Sequence, residues 1–241
     1  MLARETGALA QLPIFLNALG IGTAWIGDFA STASLIAEAG TVAAAIGSPI
    51  APFTELRLRS LQGKQAEASA LIAHAIELGA DGAQEIAAIS ARWGAAVLYN
   101  GLARYEEALS AARHATSNPF EPFVSVFALP ELVEAAERVG DTELAHGALA
   151  RLAETTQPCG NDVAAGIEAR CRALLSDAAA ADELYREAVD RLSRTRVRPE
   201  LARAHLLYGE WLRRENRRSG ARAQLRTAYD MLTAIGMEAF A

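Results

Sequence analysis

The chain has 241 residues, a formal charge of −6 and 51% hydrophobic residues, only 6% of the total being aromatic. A net acidic chain is not, as a whole, an electrostatic nucleic-acid binder, and so apolar a mixture excludes intrinsic disorder. Cys159 and Cys171 make neither a disulfide framework nor a zinc spacing.

The first residues, Met1-Leu2-Ala3-Arg4-Glu5, lack the basic cap and apolar core of a signal peptide. Asp28, Glu38 and Thr41 interrupt the most hydrophobic stretch before it reaches the length of a membrane span. The chain therefore reads as soluble and cytoplasmic. About a fifth of it is alanine, and β-branched residues are scattered. That favours closely packed helices, since alanine combines high helix propensity with little bulk.

Along the chain, a short turn leading to a small residue that opens a new apolar stripe recurs six times. Gly27-Asp28-Phe29 leads into Thr32, Gly63-Lys64-Gln65 into Ala68, and Ala103-Arg104-Tyr105 into Ala108. Gly140-Asp141-Thr142 leads into Ala145, Ser176-Asp177 into Ala181, and Asn216-Arg217 into Ala221. These anchors fall 36, 40, 37, 36 and 40 residues apart, a period characteristic of helical repeats. In the third unit a first helix is expected from about Ala83 to Leu98, with Ile86, Ile89, Trp93, Ala96 and Val97 on its apolar face. A second is expected from about Ala103 to Ala115, burying Ala108, Leu109 and Ala112 and stopped by Asn118-Pro119.

The pattern resembles the tetratricopeptide repeat, which takes a small residue at its eighth position, an aromatic at its eleventh and an alanine at its twentieth. The third unit offers Ala96, Tyr99 and Ala108, and the sixth Gly209, Leu212 and Ala221. The resemblance implies an all-α fold: a right-handed superhelical solenoid of about six antiparallel helix pairs in one domain. The units are expected at about 9–47, 48–81, 82–120, 121–158, 159–197 and 198–241. Each pair would bury its stripe against its neighbours and leave a long concave wall. Gly236-Met237-Glu238-Ala239-Phe240-Ala241 reads as the opening turn of another helix, so the chain is expected to be part of something longer.

A second resemblance rests on the stretch Arg196-Val-Arg-Pro-Glu-Leu-Ala-Arg-Ala-His-Leu-Leu-Tyr-Gly-Glu-Trp-Leu-Arg-Arg, on Ala221-Arg-Ala-Gln-Leu-Arg-Thr-Ala-Tyr-Asp-Met-Leu and on Ile235-Gly-Met-Glu-Ala-Phe. Leu129-Pro-Glu-Leu-Val-Glu-Ala-Ala-Glu-Arg-Val-Gly-Asp, Glu168-Ala-Arg-Cys-Arg-Ala-Leu-Leu and Ala181-Asp-Glu-Leu-Tyr-Arg-Glu-Ala-Val add to it. Together they are similar to the helical segment before the DNA-binding domain of large ATP-binding LuxR-family regulators, common in actinobacteria. In that family a nucleotide-binding switch module precedes the array and a helix-turn-helix follows it. The resemblance implies a sensor that takes an inducer or partner and couples it to those neighbouring ATPase and helix-turn-helix domains. This chain shows no Gly-x4-Gly-Lys-Ser/Thr phosphate loop, and its single lysine, Lys64, lies in no such motif. Nor is a helix-turn-helix legible within these residues. ATP hydrolysis and direct DNA contact are expected outside these residues.

No enzymatic chemistry is expected. His74, His114, His146 and His205 have no second ligand three or four positions away, so no metal and no cofactor is expected. Cys171 reads as a small packing residue, and Cys159, after Pro158, as a loop thiol with nothing nearby to activate it. Gly20-Ile-Gly22 reads as a helix-packing or bend signal and lacks the setting of a dinucleotide site. A helical hydrolase or terpenoid-type enzyme would need paired carboxylate-rich helices, which are missing.

Two candidate surfaces remain. Arg191 to Arg226 holds eleven arginines against Glu200, Glu210 and Glu215. Arg213, Arg214, Arg217, Arg218 and Arg222 form its basic surface, either a solvated helix end or a contact for phosphate or an acidic neighbour domain. Counting from the anchors places Asn17, Trp25, Phe53, Arg57, Trp93 and Asn100 on the concave wall, followed by Phe127, Glu134, Arg170, Arg203, Glu210 and Arg213. Aromatics mixed with amides and guanidinium groups suit a peptide, a sugar-like molecule or a partner helix; the plainer alternative is that the tryptophans fill gaps between repeats. The expected function is effector or partner sensing in a regulator, the alternative a stand-alone adaptor that binds proteins.

Overall fold

The computed structural model describes residues 10–47, 51–80, 85–117 and 122–241. Among them the chain is all-α, with twelve helices and no strand. They come in pairs: α1 (Leu12–Ile26) with α2 (Phe29–Ile46), α3 (Phe53–Gln62) with α4 (Gln65–Ala80), and α5 (Glu85–Gly101) with α6 (Tyr105–Ala115). Then follow α7 (Pro122–Val139) with α8 (Thr142–Cys159), α9 (Asp162–Leu174) with α10 (Ala178–Ser193), and α11 (Arg198–Arg214) with α12 (Arg218–Ile235).

The turn inside each pair explains the period. Five of the six place a residue with positive φ just ahead of the second helix: Gly27, Gly63, Ala103, Gly140 and Asn216. That left-handed residue ends one helix and redirects the chain. Asp28, Asp141 and Asp177 cap the next helix through their carboxylates, accepting from the backbone N–H of Ser31, Leu144 and Ala180. The anchor then closes the first turn. Thr32, Ala68, Ala108, Ala145, Ala181 and Ala221 each donate their N–H to the carbonyl four residues back, at 2.8–3.0 Å. All six are at most 4% exposed. Their small side chains are buried in the core, which suits a position between packed helices.

The third unit runs slightly later than its pattern suggests, α5 beginning at Glu85 and ending at Gly101. Ile89, Trp93, Ala96 and Val97 are buried as expected, but Ile86, in the first turn, is 46% exposed. Asn118 and Pro119 lie outside the described residues; the described helix α6 ends at Ala115. Pro158 and Cys159 belong to the last turn of α8 and not to a loop. Among the described residues, α2 is the one helix long and apolar enough to cross a membrane; it carries Glu38 and packs against α1 and α3.

The odd-numbered helices form a row in which each touches the next, and α11 also touches α1. A Cβ placed on Gly27, just after α1, would lie 3.3 Å from the Pro199 ring and 3.3 Å from the Ile235 side chain. The first and last pairs therefore meet. After Gly236, residues 238–240 form a turn, and Met237 and Phe240 are buried with Ala24, Phe29, Leu58 and Leu61. Phe240 packs under the Arg203 guanidinium, 5.0 Å from its carbon, and Lys64 holds Glu238 at 3.2 Å.

Candidate functional site

Because the row of odd helices returns on itself, its inner faces converge. They enclose two different environments, a buried charge cluster and an apolar cavity.

The charge cluster accounts for half of the polar residues expected on the concave wall: Asn100, Glu134, Arg170 and Arg203. Arg203 on α11 donates to both oxygens of Glu131 on α7 and to Glu134 at 2.7 Å. Asn100 on α5 donates to the same Glu131 carboxylate at 2.9 Å. Arg170 on α9 pairs with Glu200 on α11 at 2.7 Å. All of these residues are buried. Burial pushes the Glu131 carboxyl upward, but the charge and hydrogen bonds of Arg203, the Asn100 amide and the charge of Arg170 outweigh it and leave the group below its ordinary range. Burial likewise works against the Arg203 charge, and Glu131, Glu134 and Glu200 raise its pKa in spite of it. Asn100, Glu134, Arg170 and Arg203 are thus structural members of a buried network in which the charged groups are paired and the Asn100 side-chain oxygen is left without a partner, and an open groove does not describe them. Such a network fixes how the helices sit; loss of a charged partner would be costly.

The cavity lies beside this cluster, with a volume of about 650 Å³, within the range usual for small-molecule sites. Each odd helix contributes to its wall: Trp25 from α1, Arg57 from α3, Trp93 from α5, Phe127 from α7, Ile167 from α9 and Glu200 from α11. Val126, Pro130, Leu152 and Val163 extend the apolar lining, while Cys159, Asn161 and Thr195 stand near the turns ending α8 and α10. Trp25, Trp93 and Phe127 form an aromatic trio, with ring centres 5.0 to 6.1 Å apart. Arg57 is 5% exposed and lies against both indoles, its guanidinium carbon 4.0 Å from the Trp93 ring centre and 5.0 Å from that of Trp25. Its Nε and Nη1 are buried without a hydrogen-bond partner, as is the indole N–H of Trp93. Burial depresses the Arg57 pKa to about 10, opposed by the charges of Glu200 and Glu131 and aided by that of Arg203.

Four residues of the expected wall, Trp25, Arg57, Trp93 and Phe127, are therefore brought together at one cavity. Phe53 lines a smaller recess of about 160 Å³ that shares all four. The others are placed elsewhere. Asn17 accepts the Thr54 hydroxyl at 2.8 Å where α1 meets α3, beside Gly20, whose missing side chain makes room for Thr54. Glu210 pairs with Arg138. Arg213 faces outward, in a surface recess with Arg218, Arg222 and Arg226. Arg214 and Arg217 are exposed too, Arg217 holding Asp182 at 2.8 Å. Sequence reasoning does not single out Glu131 and Glu200. Their signal is a carboxylate three residues from a second charge on an otherwise apolar face: Glu131 with Glu134, and Glu200 with Arg203.

Among the described residues no three His, Cys, Asp or Glu side chains cluster as a metal site. Cys171 is buried and its thiol is pushed up to about 12 by that burial, whereas Cys159 is exposed. Searches against protein-family models, curated proteins and solved structures return no match for this chain.

Proposed function

We propose that this chain is the sensor and coupling domain of a LuxR-family transcriptional regulator, acting in the cytoplasm as a right-handed superhelical tetratricopeptide-like array. It takes a small-molecule effector in the axial cavity and passes the event to neighbouring ATPase and DNA-binding domains. The observation that carries this reading is the wall of the cavity, to which every odd-numbered helix contributes. An occupant there touches all six pairs at once. Its binding energy can bias the contact between α1 and α11, provided it differs between two arrangements of the pairs.

The stand-alone adaptor is less well supported. A protein-binding groove needs exposed side chains along its length, and Asn100, Glu134, Arg170 and Arg203 are buried. The exposed arginines of α11 and α12 suit contact with an acidic neighbouring domain of the parent protein.

A thermal-shift screen of small metabolites, followed by small-angle scattering on each hit, tests the proposal. An effector should raise the unfolding temperature and change the scattering profile. Effectors that bind without altering the profile would remove the coupling half of the reading, and a screen without hits would remove the sensing half.

A further inference from the structure

The cavity restricts the chemistry of its occupant, an argument that rests on the sensing role just proposed. Arg57 and Trp93 bring hydrogen-bond donors and no acceptors, and their buried N–H groups lack partners. A buried donor without a partner is a standing cost that a ligand with lone pairs can relieve. Within the charge cluster, Glu131, Glu134 and Glu200 already hold guanidinium partners, while Arg57 has no ion-paired carboxylate among the described residues. The depressed pKa of Arg57 has the same origin: its charge is sealed from water without a counter-ion in contact.

Other ligand classes fit less well. The faces of Trp25 and Trp93 would suit a quaternary ammonium group, but the Arg57 guanidinium already lies against both. A dianionic phosphate would place a second negative charge near Glu131 and Glu200, which also line the cavity. A sugar needs donors and acceptors spread around it; Thr155, Thr156, Asn161, Asp162 and Thr195 do line the cavity, but Trp25, Trp93, Val126, Phe127, Pro130, Leu152, Val163 and Ile167 leave much of the wall without either.

We propose that the cavity binds a monoanionic amphiphile, its carboxylate against Arg57 and its hydrocarbon or aryl body along Phe127, Val163 and Ile167. Arg57 is the specificity-determining residue, and the charge it supplies distinguishes an acid from the alcohol or amine of the same chain length.

The chain carries its own reporter. Cys159 is exposed and lines the cavity, while Cys171 is buried, so a thiol reagent applied to the folded protein reads Cys159. The probes are decanoate, decanol and decylamine, titrated against the rate of Cys159 modification and against tryptophan fluorescence. Decanoate should slow modification and alter the emission at concentrations roughly tenfold or more below those decanol requires, as expected for a charge-assisted hydrogen bond. Decylamine should bind more weakly still. Arg57→Met should bring decanoate to the level of decanol, and Arg57→Lys should retain part of the preference. Should the methionine variant fail to fold, the comparison of the three probes on the unaltered chain decides alone. Equal affinity for acid and alcohol would overturn the carboxylate assignment and leave the sensing role intact. Tightest binding by the amine would do the same. No effect of any probe would overturn the assignment, and if the metabolite screen is also empty the sensing role falls with it.

Discussion

Arg203 reaches across the ring to Glu131, 72 residues earlier, and meets both of its carboxylate oxygens, at 2.5 and 2.8 Å. The two side chains sit on α11 and α7, with α9 between those helices in the row. This forked contact ties the fourth and sixth pairs directly.

Breaking it should be severe. Arg203→Met leaves Glu131 and Glu134 buried without their principal counter-charge, and urea unfolding should show a loss of about 3–5 kcal/mol. The same pair sets an acid limit. Glu131 has its folded pKa below its ordinary value of 4.5, so its contribution is complete above that pH and disappears as pH falls through the lower folded value. Stability measured from neutral pH downward should drop below pH 4.5, and Glu131→Gln should make that drop shallower.

The anchors define a second expectation. Ala108 and Ala145 are fully buried in the core, so Ala108→Leu or Ala145→Leu should overpack one pair and cost about 1–3 kcal/mol. Unchanged denaturation midpoints would show that the small residue does not set the helix spacing.

Gly63 and Gly140 separate backbone strain from contact. Both have positive φ, at +73° and +85°, but a Cβ on Gly63 would lie 2.9 Å from the Ala239 backbone nitrogen, while one on Gly140 meets open space. Gly140→Ala should cost about 1–2 kcal/mol, the strain of a left-handed alanine. Gly63→Ala should cost more and should release residues 236–241 to protease. Equal losses and equal protease resistance in the two variants would argue against a tail seated on that turn.

Arg57→Met should stabilise the protein, by about 1–3 kcal/mol, because it removes a buried charge that lacks a contacting partner. A higher unfolding temperature together with lost preference for acids would mark Arg57 as a residue kept for binding at the expense of stability. A lower one would mean that its contacts with Trp25 and Trp93 outweigh its desolvation.

The helical architecture was readable because its cause is local. A small residue four positions beyond each capping residue shows in the sequence from Thr32 to Ala221, and the structure buries all six. Turn chemistry at Gly27, Gly63 and Gly140 was visible for the same reason. The inner surface was only half readable. Helical periodicity assigns Arg57, Asn100, Glu134, Arg170 and Arg203 to the inward face, and they do point inward. It does not say how tightly the row curves. That depends on contacts between distant residues, such as Gly27 with Pro199 and Glu131 with Arg203, which leave no periodic trace. An expected groove thus became a buried network with a cavity beside it. Ile86 strayed because periodicity places a residue on a face without revealing whether a neighbour covers that end of the helix.

The meeting of α1 with α11 also alters how the molecule should come apart. An open array can lose its terminal units one by one, each holding on through a single neighbour. Here the first and last described pairs also touch each other, so each is held by more than one neighbour. The six pairs should then open as one cooperative block, with amide protection in the first and last units approaching that of the middle ones.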